Sequence, residues 1–185
     1  MNVTAVKEFT HAGQTVEFKT RHDFARLAKT GSMGAELGTG AASFCIPILQ
    51  RDEVDFLYTI DEYKDRPDAF THAFNKIAAF DSKVKLIRET FEIAAQRFDN
   101  EFFDWIYVDG FAHDGQNNGK TFTQWWPRLK LGGVFGGGGY DMSFCPLLVR
   151  KLHSFALAVE RDIYVIDCEP DDPQWGASPS WFMIK

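Results

Sequence analysis

The chain has 185 residues, 45% apolar and 25% charged, which suits one domain with a sizeable core. That balance excludes a largely disordered chain and a comfortable two-domain enzyme. A formal net charge of −6, with no local run of lysine and arginine, sets the field against phosphate backbones, so nucleic acid is not an expected partner.

Residues 1 to 20 carry two alternating pieces, Val3 to Phe9 and Thr15 to Thr20, around the turn-like His11-Ala12-Gly13. They read as a hairpin or an arm on the edge of a domain covering 21–185. Arg21 to Lys29 reads as a short amphipathic helix, with Phe24, Ala25, Leu27 and Ala28 on one face. The rhythm then becomes regular. Strands are expected at Ser32 to Leu37, Val54 to Ile60, Val84 to Arg88, Phe103 to Asp109, Gly133 to Gly138, Asp162 to Asp167 and Ser180 to Lys185. Helices are expected at Ala41 to Gln50, Asp68 to Phe80, Phe91 to Phe98, through Phe122 and Trp126, and at Cys145 to Arg161. Such alternation implies βαβ units and a mostly parallel sheet with helices on both faces. The acidic stretch Asp167, Glu169, Asp171, Asp172 reads as a solvated loop.

No segment approaches the roughly 18 apolar residues of a membrane span, and the N-terminus lacks the basic-then-apolar pattern of a secretory signal. Cys45, Cys145 and Cys168 are far apart and form no Cys-x-x-Cys pair. They read as reduced thiols of a cytoplasmic protein, and the five histidines show no zinc-hydrolase spacing.

In sheets of this kind, ligands bind beyond the carboxyl ends of the strands. The first regular strand runs into Glu36-Leu37-Gly38-Thr39-Gly40, a turn that lets a ligand approach the backbone closely. Asp61 lies 23 residues beyond Gly38, at the end of the next strand, where an acid can accept hydrogen bonds from ribose hydroxyls. Glu36 separates two cofactors. Its carboxylate would repel the pyrophosphate of NAD but attract the ammonium and sulfonium of S-adenosylmethionine. An NAD-binding dehydrogenase is further disfavoured by the lack of a Tyr-x-x-x-Lys pair.

Glu36-x-Gly38-x-Gly40, Asp61 and Asp104-Trp105-Ile106-Tyr107-Val108-Asp109-Gly110 together resemble a class I S-adenosylmethionine-dependent methyltransferase. More narrowly, Val108-Asp109-Gly110 … His113 … Trp125-Trp126-Pro127-x-Leu129-x-x-Gly132-Gly133-Val134 resembles small bacterial methyltransferases related to antibiotic- and sugar-tailoring O-methyltransferases. The likeness covers about residues 22 to 185. It implies a Rossmann-like doubly wound sheet of seven strands, order 3-2-1-4-5-7-6 counted from Ser32 to Leu37, with the last strand antiparallel. It also implies S-adenosylmethionine as cofactor and a small-molecule acceptor, with methylation at oxygen. A non-catalytic module that kept the fold is the alternative, and self-association into a homo-oligomer is left open.

Carried over by position, the resemblance implies that Glu36, Gly38, Thr39 and Gly40 hold the methionine part and Asp61 the ribose. Glu89 and Thr90 would flank the adenine. Asp109 would lie beside the transferring methyl, and His113 would match the family histidine if one residue is inserted after Gly110. Asp109 and His113 are therefore the candidate proton acceptors, imidazole being suited to neutral pH. Relatives commonly read Gly-Gly-His-Asp-Tyr after the fifth strand, where this chain has Gly136-Gly137-Gly138-Gly139-Tyr140-Asp141. Glycines thus stand where a metal-binding pair would be, which argues against a divalent metal. Asp109 with Asp141 is the minority metal alternative. The four glycines are costly to order and suggest a mobile lip or a flexible loop. Trp125 and Trp126 read as wedges between helix and sheet.

Overall fold

The computed structural model describes residues 1–109, 116–167 and 179–185. In chain order the strands are β1 (Val3–Val6), β2 (Glu8–His11), β3 (Gln14–Glu17), β4 (Ser32–Leu37), β5 (Val54–Ile60), β6 (Val84–Ile87), β7 (Phe103–Val108), β8 (Leu129–Gly137), β9 (Ile163–Ile166) and β10 (Ser180–Ile184). The α-helices are α1 (Cys45–Leu49), α2 (Pro67–Ile77), α3 (Phe91–Ala95), α4 (Lys120–Trp125) and α5 (Pro146–Ala158), and a 3-10 helix spans Arg21–Leu27.

One sheet runs in the order β6-β5-β4-β7-β8-β10-β9-β1. Counted from β4, its first seven strands follow 3-2-1-4-5-7-6, and β10 is antiparallel to both β8 and β9. The structure adds an eighth strand to the expected seven. β1 pairs in parallel with β9, Val3 opposite Ile163 through Val6 opposite Ile166. Only β2 and β3 make the N-terminal hairpin, with Glu8 opposite Glu17. The chain at Ala12-Gly13 turns through positive φ, and Val16 and Phe18 are buried against the sheet.

β7 shows why the centre of the sheet is so apolar: all six of its residues are buried, and alternate side chains enter opposite layers. Trp105 and Tyr107 join a core with Phe24, Phe44, Ile48 and Ala73, under the 3-10 helix, α1 and α2. Ile106 and Val108 join a second core with Ala94, Phe122, Trp125, Leu152 and Phe155, under α3, α4 and α5. Gly34 on β4 lets the Trp105 ring cross the sheet face, since a Cβ there would fall 2.0 Å from Trp105 Cζ2. Trp125 and Trp126 are wedges, as expected. Trp125 is fully buried and its Nε1 donates to the Phe91 carbonyl at 3.1 Å, and Trp126 packs edge-on to Phe135 and Phe155.

The glycine run is corrected by the structure. It is neither a lip nor a loose loop. Gly136 and Gly137 belong to β8, and Gly138 and Gly139 are buried. A Cβ on Gly136 would lie 2.5 Å from Phe24 Cε2 and from the Trp181 carbonyl oxygen, and one on Gly137 would lie 2.5 Å from the Val108 carbonyl oxygen. Close packing, not mobility, explains these glycines. The helix expected at Ala41 to Gln50 is shorter, because Ala42 takes a positive φ of 62° and delays α1 to Cys45. Most of the acidic stretch, including Glu169, Asp171 and Asp172, lies outside the described residues.

Candidate functional site

The carboxyl ends of β4, β5 and β7 meet on one side of the sheet. Asp109 N–H donates to the Leu37 carbonyl at 2.7 Å, and Gly38 N–H donates to the Ile60 carbonyl at 2.8 Å, which ties the three ends together. Glu36, Asp61 and Asp109 are thereby assembled from positions up to 73 residues apart.

Beyond β4 the chain turns through Gly38 (φ 108°) and Gly40 (φ 50°), conformations that glycine adopts without strain. A Cβ on Gly40 would meet no atom within 4 Å, so the turn presents bare backbone to open space. Asp61 shapes this turn. Its Oδ2 accepts from Gly40 N–H at 3.0 Å, while Oδ1 accepts from Tyr63 N–H at 2.9 Å and from Arg66 Nη2 at 3.1 Å. Tyr63 has a positive φ of 48° and returns its hydroxyl to the Gly40 carbonyl at 2.9 Å.

Glu36 is fully buried. Thr59 Oγ1, on β5, donates to Glu36 Oε2, and Thr39 Oγ1 lies 2.5 Å from Thr59 Oγ1. Glu36 Oε1 has no hydrogen-bond partner. Burial, reinforced by the nearby charge of Asp109, pushes this carboxyl up to about 8, against the opposing pull of Thr59 and Arg21. An orphaned, buried acceptor beside an uncovered glycine turn fits a ligand that brings its own cationic donor. The residues present therefore fit S-adenosylmethionine.

Asp109 Oδ2 accepts from Arg21 Nη1 at 3.0 Å, with side-chain exposures of 18% and 27%. Arg21 also sits over the Phe44 ring at 5.4 Å, and Phe44 stacks on Tyr107 with ring centres 3.9 Å apart. Tyr107 in turn has its hydroxyl 2.7 Å from Ser180 Oγ.

The remaining expected residues divide. Thr90 caps α3, its Oγ1 accepting from Ile93 N–H at 3.3 Å. Glu89 is paired with Arg97, whose Nε donates at 2.6 Å and which holds the Glu89 carboxyl below its usual range. Both stand on the turn after β6. Asp141 is turned into its own loop, Oδ1 accepting from Ser143 N–H at 2.7 Å and Phe144 N–H at 3.2 Å. The structure thus gives Asp109 and Asp141 different partners. Among the described residues there is no group of three or more His, Cys, Asp or Glu suited to a metal. His113 lies outside the described residues.

Sequence reasoning missed Arg21, Thr59 and Tyr63. Thr59 had a signal, being a small hydroxyl residue next to the last position of a strand that leads to Asp61. Arg21 had none, because nothing in the order of residues connects it to Asp109.

A family model for a methyltransferase domain matches residues 35–137, more than half of the chain. The chain belongs to this family. It has the fold of the class I S-adenosylmethionine-dependent methyltransferases, and S-adenosylmethionine is the cofactor that its site fits. No curated protein matches the chain. Among solved structures it is similar to a Streptococcus mutans putative methyltransferase in complex with SAH, at 14% identity and TM-score 0.63, covering 89% of this chain and 94% of that one. A Thermotoga maritima SAM-dependent O-methyltransferase is similar at 14% identity and TM-score 0.61, covering 87% of this chain and 62% of that one. Spermidine synthase from Thermotoga maritima is similar at 17% identity and TM-score 0.61, covering 96% and 64%. The chain therefore spans under two thirds of the length of the two Thermotoga proteins. No helix among the described residues is long and apolar enough to cross a membrane.

Proposed function

We propose that this domain transfers the methyl group of S-adenosylmethionine to a small-molecule acceptor, at oxygen. The observation that carries the reading is the orphaned, buried Glu36 Oε1 on the strand that runs into the turn where Gly40 faces open space. When bound, the cofactor supplies a methyl group on a sulfonium leaving group, so the protein has mainly to align the reactants and exclude water.

Glu36 takes the ammonium of the methionine part, and the backbone of Gly38, Thr39 and Gly40 lies against that part. Asp61 takes the ribose hydroxyls while still holding Gly40. Glu89 and Thr90 border the adenine. Asp109 and His113 face the acceptor and remove its proton. No metal is assigned, since Asp141 Oδ1 accepts from the amides of Ser143 and Phe144 in its own loop while Asp109 is bonded to Arg21. In this reading residues 1–20 form an arm on a single methyltransferase domain of residues 21–185.

Calorimetric titration with S-adenosylmethionine, S-adenosylhomocysteine (SAH) and NAD tests the reading. Micromolar binding of both adenosyl compounds, with none of NAD, is expected. Binding of NAD with no response to either adenosyl compound would overturn it. Labelled S-adenosylmethionine offered with a pool of cell metabolites then identifies the acceptor.

A further inference from the structure

Burial acts most strongly on the charge of Glu36, and its neighbours come second. From β5, Thr59 donates to Oε2, and Asp61 at the strand end is turned toward Gly40, Tyr63 and Arg66. From the end of β7, Asp109 adds a negative charge, and Tyr107 is held at Ser180. From the 3-10 helix comes Arg21, already bonded to Asp109, from α1 the Cys45 thiol, and from the loop after β5 the Tyr63 phenol. Arg66 is spent on Asp61, and Arg21 is the cation that acts on Glu36. An ionised Glu36 would be a fully buried anion served by the Thr59 hydroxyl and the weakly donating Cys45 thiol, with no hydrogen bond made at Oε1, which is costly in a medium of low polarity.

We infer that Glu36 carries a proton in the unliganded chain and releases it when the ammonium of an adenosyl ligand's amino-acid part docks beside Oε1, so that binding is coupled to the loss of one proton. This rests on the proposed donor site. The exchange balances: the carboxyl O–H bond breaks, its proton passes to solvent, and the carboxylate accepts from an ammonium N–H instead. One positive charge leaves the buried space as another enters. At Oε1 the charge of the ammonium replaces that of the proton, so the carboxylate is paired as soon as it forms. Near pH 7 most unliganded molecules hold the proton, because the group titrates at about 8.

The coupling also sets a preference. An adenosyl compound without an amino-acid part brings no ammonium, so it leaves the Glu36 proton in place and gains nothing from Oε1.

The test is calorimetry of SAH binding at pH 7 in two buffers of different ionisation enthalpy, phosphate and Tris. The apparent enthalpies should differ by close to one proton's worth. The probe 5′-methylthioadenosine, which lacks the amino-acid part, should give equal values in both buffers. From pH 7 to pH 6 the affinity for SAH should weaken about tenfold, the dependence of a single bound proton. The ligand's own amine, beside a carboxylate, is more basic than a peptide N-terminus at about 7.7–8.0, so it stays charged over that range. In Glu36→Gln, SAH should bind with no buffer difference and less than twofold change with pH. If that variant does not fold, the comparison of SAH with 5′-methylthioadenosine on the native chain decides alone. Binding of SAH with equal enthalpies and a flat pH profile would overturn the proton coupling and leave the donor site standing. Failure of SAH to bind at all would overturn the donor site instead.

Discussion

Arg21 Nη1 reaches Asp109 Oδ2 at 3.0 Å across 88 residues of sequence, and this pair brings a cation into the surroundings of Glu36. The guanidinium sits over Phe44, so packing and charge are separable roles of this side chain. Arg21→Met keeps an apolar stem there and removes the charge. The proton on Glu36 should then be held more tightly, and SAH affinity at pH 7 should drop by about 3- to 30-fold, or roughly 0.7–2 kcal/mol at 1.4 kcal/mol per decade. The deficit should shrink toward pH 9. A deficit equal at both pH values would show that Arg21 contributes packing or a direct ligand contact and does not act through Glu36.

Stability should carry the same signature without any ligand. The folded-state value of Glu36 is raised from 4.5 to about 8, so its contribution is fully present below about 4.5 and is lost as pH rises toward 8. Relative to Glu36→Gln, the native chain should lose up to about 1.4 kcal/mol per pH unit between pH 5 and 8. Urea unfolding of both proteins at pH 5, 6.5 and 8 measures this difference, and parallel curves would contradict it.

Asp61→Ala removes the acceptor of Gly40 N–H and the proposed ribose contact together. Charge-assisted hydrogen bonds of this kind contribute about 1.5–3 kcal/mol, so SAH should bind roughly 10- to 150-fold more weakly. Unchanged affinity by calorimetry would reduce Asp61 to a turn residue.

Gly136→Ala tests the packing explanation of the glycine run. The new methyl meets Phe24 Cε2 and the Trp181 carbonyl oxygen, both at 2.5 Å, and the second is backbone that cannot step aside cheaply. A loss of about 1–3 kcal/mol is expected in urea unfolding. Full retention of stability would return the run to the status of a tolerant loop.

Methylation of the acceptor, once found, should persist in EDTA, because Asp141 is committed to Ser143 and Phe144 rather than to an ion shared with Asp109. His113→Ala should lower turnover by about 100- to 10,000-fold if its imidazole takes the acceptor proton, with SAH affinity little changed. Activity lost in EDTA and restored by magnesium would reinstate a metal.

Much of this arrangement is legible in the residues alone, and the reason is local. Apolar runs such as Val54–Ile60 and Phe103–Val108 pair wherever the alternation of helices allows, so the order of seven strands follows from pattern and resemblance. The Gly38-Thr39-Gly40 turn and Asp61 are legible for the same reason, since each sits at the end of its own strand. What escaped depends on contacts between distant segments. β1 is four residues long and joins the sheet only because β9 offers a free edge. Arg21 becomes a site residue only when the 3-10 helix packs over Phe44. Gly136 and Gly137 look flexible in a list of residues, and only their neighbours Phe24, Val108 and Trp181 reveal that they are crowded.

The parallel pairing of β1 with β9 has a consequence for biosynthesis. Val3 finds its partner Ile163 only after another 160 residues have been added, whereas β4, β5 and β6 pair with near neighbours in sequence. During translation the first strand must wait unpaired while the middle of the sheet is already able to assemble, a non-local closure of the kind that slows folding. Pulse-labelled hydrogen exchange during refolding should find the amides of Val3–Val6 protected after those of β4 and β5.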